Sequence, residues 1–119
     1  MTAPTKITFF STLTPMVATG VKTITIRDES ESHYQPGTRV SVHQLDTDHY
    51  VCDVVIDSVA PLAFDDINAR HAEQEGMSLT ELKALLLQIY PERPPLFVID
   101  FHLGKGSRLF AARACLYRV

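Results

Sequence analysis

A chain of 119 residues that is 45% apolar and 21% charged has the make-up of one globular domain, able to bury roughly 65% of the surface its unfolded form exposes. Its two cysteines, Cys52 and Cys115, give neither a disulfide framework nor a CxxC redox pair, and no apolar run nears the ~20 residues of a membrane span. Residues 1–103 hold all 14 acidic residues and 7 of the 11 basic ones, a net −7 that repels polyanions and suits a nucleoside-sized partner better than a polynucleotide.

Taken in chain order, Lys6 to Phe10 reads as a first strand. Leu13, Met16 and Val17 then share one helical face, with Pro15 in the first turn, Ser11 or Thr12 as cap and Gly20 as the stop. Thr23 to Arg27 is β-branched and alternating, hence a second strand. A polar stretch ends in the turn signal Pro36-Gly37, and two more alternating runs follow, Thr38 to Leu45 and Tyr50 to Val59. Asp46 to His49 joins them as a hairpin loop.

Asp65-Asp66 is expected to cap a helix running to about Glu75, where Gly76 stops it. Ser78-Leu-Thr-Glu81 is a capping box, and Leu79, Leu82, Leu85, Leu86 and Ile89 behind it form an apolar stripe expected to be core. Pro91, Pro94 and Pro95 end that helix, and Leu96 to Leu103 is a final strand. About five strands with helices between them predict an α+β fold, its largely antiparallel sheet curled into a partial barrel. Residues 104–119 form a basic C-terminal extension carrying Lys105, Arg108, Arg113 and Arg118.

Reactive side chains gather in Lys22-Thr-Ile-Thr-Ile-Arg-Asp-Glu-Ser-Glu31. In a regular strand Ile24 and Ile26 face the core, and Thr23, Thr25 and Arg27 face the other way. Lys22 is an odd number of residues from Thr25, so the two meet only if the chain bends after Gly20. A threonine hydroxyl needs a neighbouring base. A lysine serves when burial lowers its pKa from ~10.4, and a charged Lys22 would instead stabilise an oxyanion. His71-Ala-Glu-Gln-Glu75 supplies a carboxyl group, but Glu73 and Glu75 lie about 200° apart on a helix, so only one can face the pocket.

His71 and Glu75 lack the HExxH pattern and a second ligand cluster, so no metal site is expected. His33, His43, His49 and His102 are scattered, and Gly104-Lys-Gly-Ser107 lacks the spacing of a phosphate loop. No cofactor is implied. Buried Cys52 is expected to be an inert thiol. With no secretory signal visible and few cysteines, the expected compartment is the cytoplasm, with no membrane association. The expected state is a monomer or weak dimer.

Ile7-Thr-Phe-Phe10, Gly20 with Lys22-Thr-Ile-Thr-Ile-Arg-Asp-Glu-Ser-Glu-Ser-His33, His71-Ala-Glu-Gln-Glu75, and Leu79-Thr-Glu-Leu82 leading to Ile89-Tyr-Pro91 resemble the YqfB-type N(4)-acetylcytidine amidohydrolases of the ASCH superfamily. The resemblance covers about residues 6–103. It implies a PUA-like β-barrel and hydrolysis of the acetyl amide on the exocyclic amine of cytidine. The family's catalytic lysine falls on Lys22, its nucleophilic threonine on Thr25 and its acidic residue on Glu75. Arg27, Thr23, Asp28 and Glu29 are the expected substrate-binding residues. The chain departs from the family in its tail, whose positive charges leave weak RNA contact open. The alternative is a non-catalytic PUA-like module that binds RNA or a modified nucleotide.

Overall fold

The computed structural model describes residues 3–104. Five strands form one sheet: β1 (Lys6–Phe9), β2 (Ile24–Asp28), β3 (Arg39–Gln44), β4 (Tyr50–Leu62) and β5 (Leu96–Leu103). Three helices accompany them: α1 (Thr14–Ala18), α2 (Ala69–Glu75) and α3 (Leu79–Ile89). The strand order is β1-β3-β4-β5-β2, antiparallel throughout except for the parallel β1–β3 pair. The result is the expected α+β fold, a curled half-barrel with β1 and β2 at its two edges. Of the expected extension 104–119, all but Gly104 lies outside the described residues.

The long strand β4 generates the curl. Its first half pairs with β3 and its second with β5, and the β5 register skips Asp57 between Ile56 and Ser58. Such a bulge bends the strand and increases its twist. β4 continues past the expected end at Val59 to Leu62, through Pro61. The proline is tolerated because β3 has already ended its pairing at Val55, so no ladder partner there requires its missing N–H.

Two apolar cores lie on the two faces of the sheet. One holds Ile7, Phe9, Val17, Val42, Cys52, Val54, Ile56 and Phe101. The other joins Ile24 and Ile26 of β2 to Ile67 and Ala72, and to Leu82 and Leu86 of α3. Cys52 is fully buried, and that burial, with Asp53 adjacent, pushes its thiol up to about 11. It is inert, as the alternating pattern implies.

Local caps differ from expectation at two helices. α1 begins at Leu13 without a side-chain cap. Ser11 is instead committed to Asp46, donating from its backbone N–H at 3.1 Å and its hydroxyl at 2.7 Å. Asp65-Asp66 does not start α2; these residues close a separate 3₁₀ turn, Phe64–Asp66. Burial of Ile67 breaks the chain there, and Asn68 becomes the N-cap, accepting from the Arg70 and His71 N–H groups. Gly76 stops α2 in the left-handed region at φ 77°, as expected. Ser78 and Glu81 form the expected capping box on α3.

Candidate active site

The backbone places Lys22 before the site strand begins. Gly20, at φ 80°, ends α1, and the Val21 and Lys22 N–H groups both return to the Met16 carbonyl. Only at Ile24 does β2 start. This is the bend that the odd spacing between Lys22 and Thr25 requires. Both residues line one cavity of about 350 Å³, together with Arg27, Glu31 and Glu75.

Lys22 is 3%, Thr25 4% and Glu75 4% exposed, the deepest polar side chains at the site. The Lys22 amine contacts Glu75 Oε1 directly. Burial lowers that amine from its ordinary 10.5 to about 7, and the Arg27 guanidinium pushes it the same way. Near neutrality the amine is therefore available as a base. The Phe9 ring forms the floor beneath both basic groups, 5.5 Å from Lys22 Nζ and 5.0 Å from the Arg27 guanidinium carbon.

Arg27 is held at three atoms. Its Nε donates to Thr25 Oγ1 at 2.9 Å, Nη1 to Glu31 Oε1 at 2.6 Å and Nη2 to the Thr8 carbonyl at 2.8 Å. The last bond crosses from edge strand β2 to edge strand β1, closing the open side of the half-barrel at the site. A guanidinium has donors and no acceptor, so the Thr25 hydroxyl must direct its own proton elsewhere.

The remaining expected residues lie apart from this cluster. Thr23 precedes β2 and lines a smaller cavity of about 130 Å³ with Lys22, Val17, Gly20 and His102. Thr23 does not line the larger cavity, so of the expected polar face only Thr25 and Arg27 are brought together there. Asp28 caps the turn Glu29–Glu31, accepting from Ser30 N–H and Oγ. Glu29 is exposed beside His33. Neither Asp28 nor Glu29 lines the larger cavity. Glu73 is exposed while Glu75 faces inward, as helical geometry demands. His71 does not join Glu75; its Nδ1 accepts from Asn68 N–H. Among the described residues no three His, Cys, Asp or Glu side chains gather where they could hold a metal ion.

The sequence does not single out the apolar wall. Leu82, Leu85, Leu86 and Ile89 of α3 line the cavity, opposite Phe9, Phe10 and Leu13. The α3 stripe is thus core only in part: Leu82 and Leu86 are buried, whereas Ile89 is exposed at the rim. Glu31 and Tyr90 also belong to the site, and the Tyr90 hydroxyl accepts from Asp28 N–H at 3.3 Å. Spacing hints at Glu31, four residues after Arg27, but only once residues 29–31 are known to be helical.

The ASCH domain family model matches residues 5–84. A Vibrio cholerae protein named N(4)-acetylcytidine amidohydrolase is 58% identical over 107 residues, covering 90% of this chain and 94% of its own. A Vibrio campbellii protein of the same name is 61% identical over 102 residues, covering 86% and 96%. The solved ASCH domain of Lactobacillus crispatus shares the fold with a TM-score of 0.70 at 17% identity, over 86% of this chain and 80% of that one. Matched across most of its length by the family and by these relatives, the chain belongs to the ASCH domain family.

Proposed function

We propose that this protein is an amidohydrolase that removes the acetyl group from N(4)-acetylcytidine, giving cytidine and acetate. The observation that carries the reading is a buried amine, hydroxyl and carboxyl, Lys22, Thr25 and Glu75, lining one cavity with the amine lowered to about 7. The names of the Vibrio relatives support the same substrate. A cavity of about 350 Å³ with apolar walls suits a small planar base better than a polymer.

Neutral Lys22 takes the Thr25 hydroxyl proton as Oγ1 attacks the acetyl carbonyl. The ammonium so formed stabilises the oxyanion. Glu75, in its acid form, gives its proton to the exocyclic nitrogen as the C–N bond breaks, and cytidine leaves. Water then attacks the acetyl-threonine ester. One of its protons passes to the Glu75 carboxylate, the ester C–O bond breaks as Thr25 recovers its hydrogen from Lys22, and acetic acid departs and ionises to acetate in solvent. Each general acid or base contributes about 10²–10⁴-fold.

The test is incubation with N(4)-acetylcytidine, following the ultraviolet change on deacetylation. Wild type turns the substrate over, and Thr25→Ala loses most of that turnover while its melting curve is kept. Wild-type turnover by Thr25→Ala with an unchanged KM removes the hydroxyl from the reaction. Salt-sensitive RNA binding without acetate release would favour a binding module instead.

A further inference from the structure

The Arg27 guanidinium fixes Thr25, and what fixes the guanidinium is a residue with no role in the reaction just described. Glu31 lies at the cavity mouth, its side chain 44% exposed, while that of Arg27 is only 13% exposed. An ordinary surface i,i+4 ion pair contributes little. This one is different in position. Its arginine end is largely withdrawn from water and is simultaneously bonded to Thr25 Oγ1 and to the Thr8 carbonyl.

The local chain is built to present Glu31. Asp28 Oδ1 accepts from Ser30 N–H at 3.1 Å and from Ser30 Oγ at 2.6 Å, which winds residues 29–31 into a 3₁₀ turn. Tyr90 at the end of α3 ties down the start of that turn through Asp28 N–H. The turn sets the Glu31 carboxylate on Arg27 Nη1 at 2.6 Å, a short, charge-assisted hydrogen bond. With one guanidinium edge held by Glu31 and another atom by Thr8, Nε–H has one direction left, toward Thr25.

We propose that Glu31 is a positioning residue: it locks Arg27 so that Nε–H occupies one lone pair of Thr25 Oγ1 and the hydroxyl proton is offered on the cavity side. The inference rests on the reading of Thr25 as the reacting hydroxyl. It accounts for an acidic residue at the mouth of a pocket that holds the Arg27 guanidinium, and it gives the polar turn 28–31 a function other than contact with substrate. Without Glu31 the guanidinium swings, and the hydroxyl spends part of its time with its proton turned away from the base. Binding of substrate, which relies on the apolar walls, is unaffected.

The test measures kcat and KM on N(4)-acetylcytidine for Glu31→Ala, Glu31→Gln, Arg27→Ala and the Arg27→Ala/Glu31→Ala pair. Loss of one charged hydrogen bond lowers kcat of Glu31→Ala by about tenfold, with KM within about twofold of wild type. Glu31→Gln, which keeps an oxygen acceptor for Nη1, recovers most of that loss. In the Arg27→Ala background, removing Glu31 has no further effect. A wild-type kcat for Glu31→Ala, a loss confined to KM, or a Glu31 effect that persists without Arg27 overturns the positioning role. Thr25→Ala, assayed alongside, separates the two readings: its inactivity with normal Glu31→Ala kinetics sinks this inference alone, whereas its full activity sinks the reaction itself.

Discussion

Lys22 and Glu75 are an amine and a carboxyl group placed where folding alone would put hydrocarbon. Passing a proton from one to the other converts an ion pair into a neutral pair without changing the total charge, so a dry cavity can hold both forms. Replacing a buried pair by well-packed apolar residues is commonly neutral or stabilising, whereas removing one partner strands the other. Lys22→Met/Glu75→Leu should therefore unfold with a stability equal to wild type or up to about 4 kcal/mol higher, and without turnover. Lys22→Met alone should be less stable than the double variant; urea unfolding at pH 7 measures both. Lys22→Arg should be inactive in the acetylcytidine assay, because arginine keeps its proton at any working pH. At this scale the sequence shows the reactive residue types in 22–31 and that only one of Glu73 and Glu75 can face inward; the choice of Glu75 comes from the family resemblance. It does not show Phe9, whose part in the site arises from contacts across the barrel edge, nor that Glu31 of the acidic segment 28–31 pairs with Arg27.

The elements explain how those side chains are held. α2 carries Glu75 as its last residue, so both ends of that helix matter to the site. Gly76 follows directly at φ 77°, and a Cβ there would stand 2.7 Å from Met16 Sδ. Gly76→Ala should cost about 1–2 kcal/mol from the left-handed backbone alone, and the displaced Glu75 should lower kcat. Asn68→Ala should cost about 1 kcal/mol by removing the cap, read as a lower melting temperature. Where local chemistry decides an element, the sequence shows it: the Ser78–Glu81 capping box starts α3, and the proline-bounded alternation of Leu96–Leu103 is β5 to the residue. Where several residues compete, it does not. Asp65, Asp66 and Asn68 are all good caps, and only burial of Ile67 selects the third.

Across the whole molecule, the sheet order separates β1 from β2 in hydrogen bonding while its curl brings these edges together around the cavity. Arg27 spans the gap, and Phe9 from one edge lies beneath the Arg27 guanidinium from the other. Arg27→Met should lower stability by about 2 kcal/mol through lost charged hydrogen bonds, and should reduce turnover as well. The class of fold is legible from alternation and helix punctuation. The strand order is not, because β1–β3 and β2–β5 join strands far apart in sequence, and nothing in the local pattern of either strand marks its partner.

One measurement bears most directly on a buried amine acting as base: the pH dependence of kcat/KM on N(4)-acetylcytidine. Because burial depresses the Lys22 pKa, the working neutral amine forms as pH rises through about 7 and is lost by protonation below it. An acidic limb with its midpoint near pH 7 is expected, with no activity at any pH for Lys22→Met. A rate that stays flat from pH 5 to pH 9, or a Lys22→Met variant that still deacetylates, would contradict it.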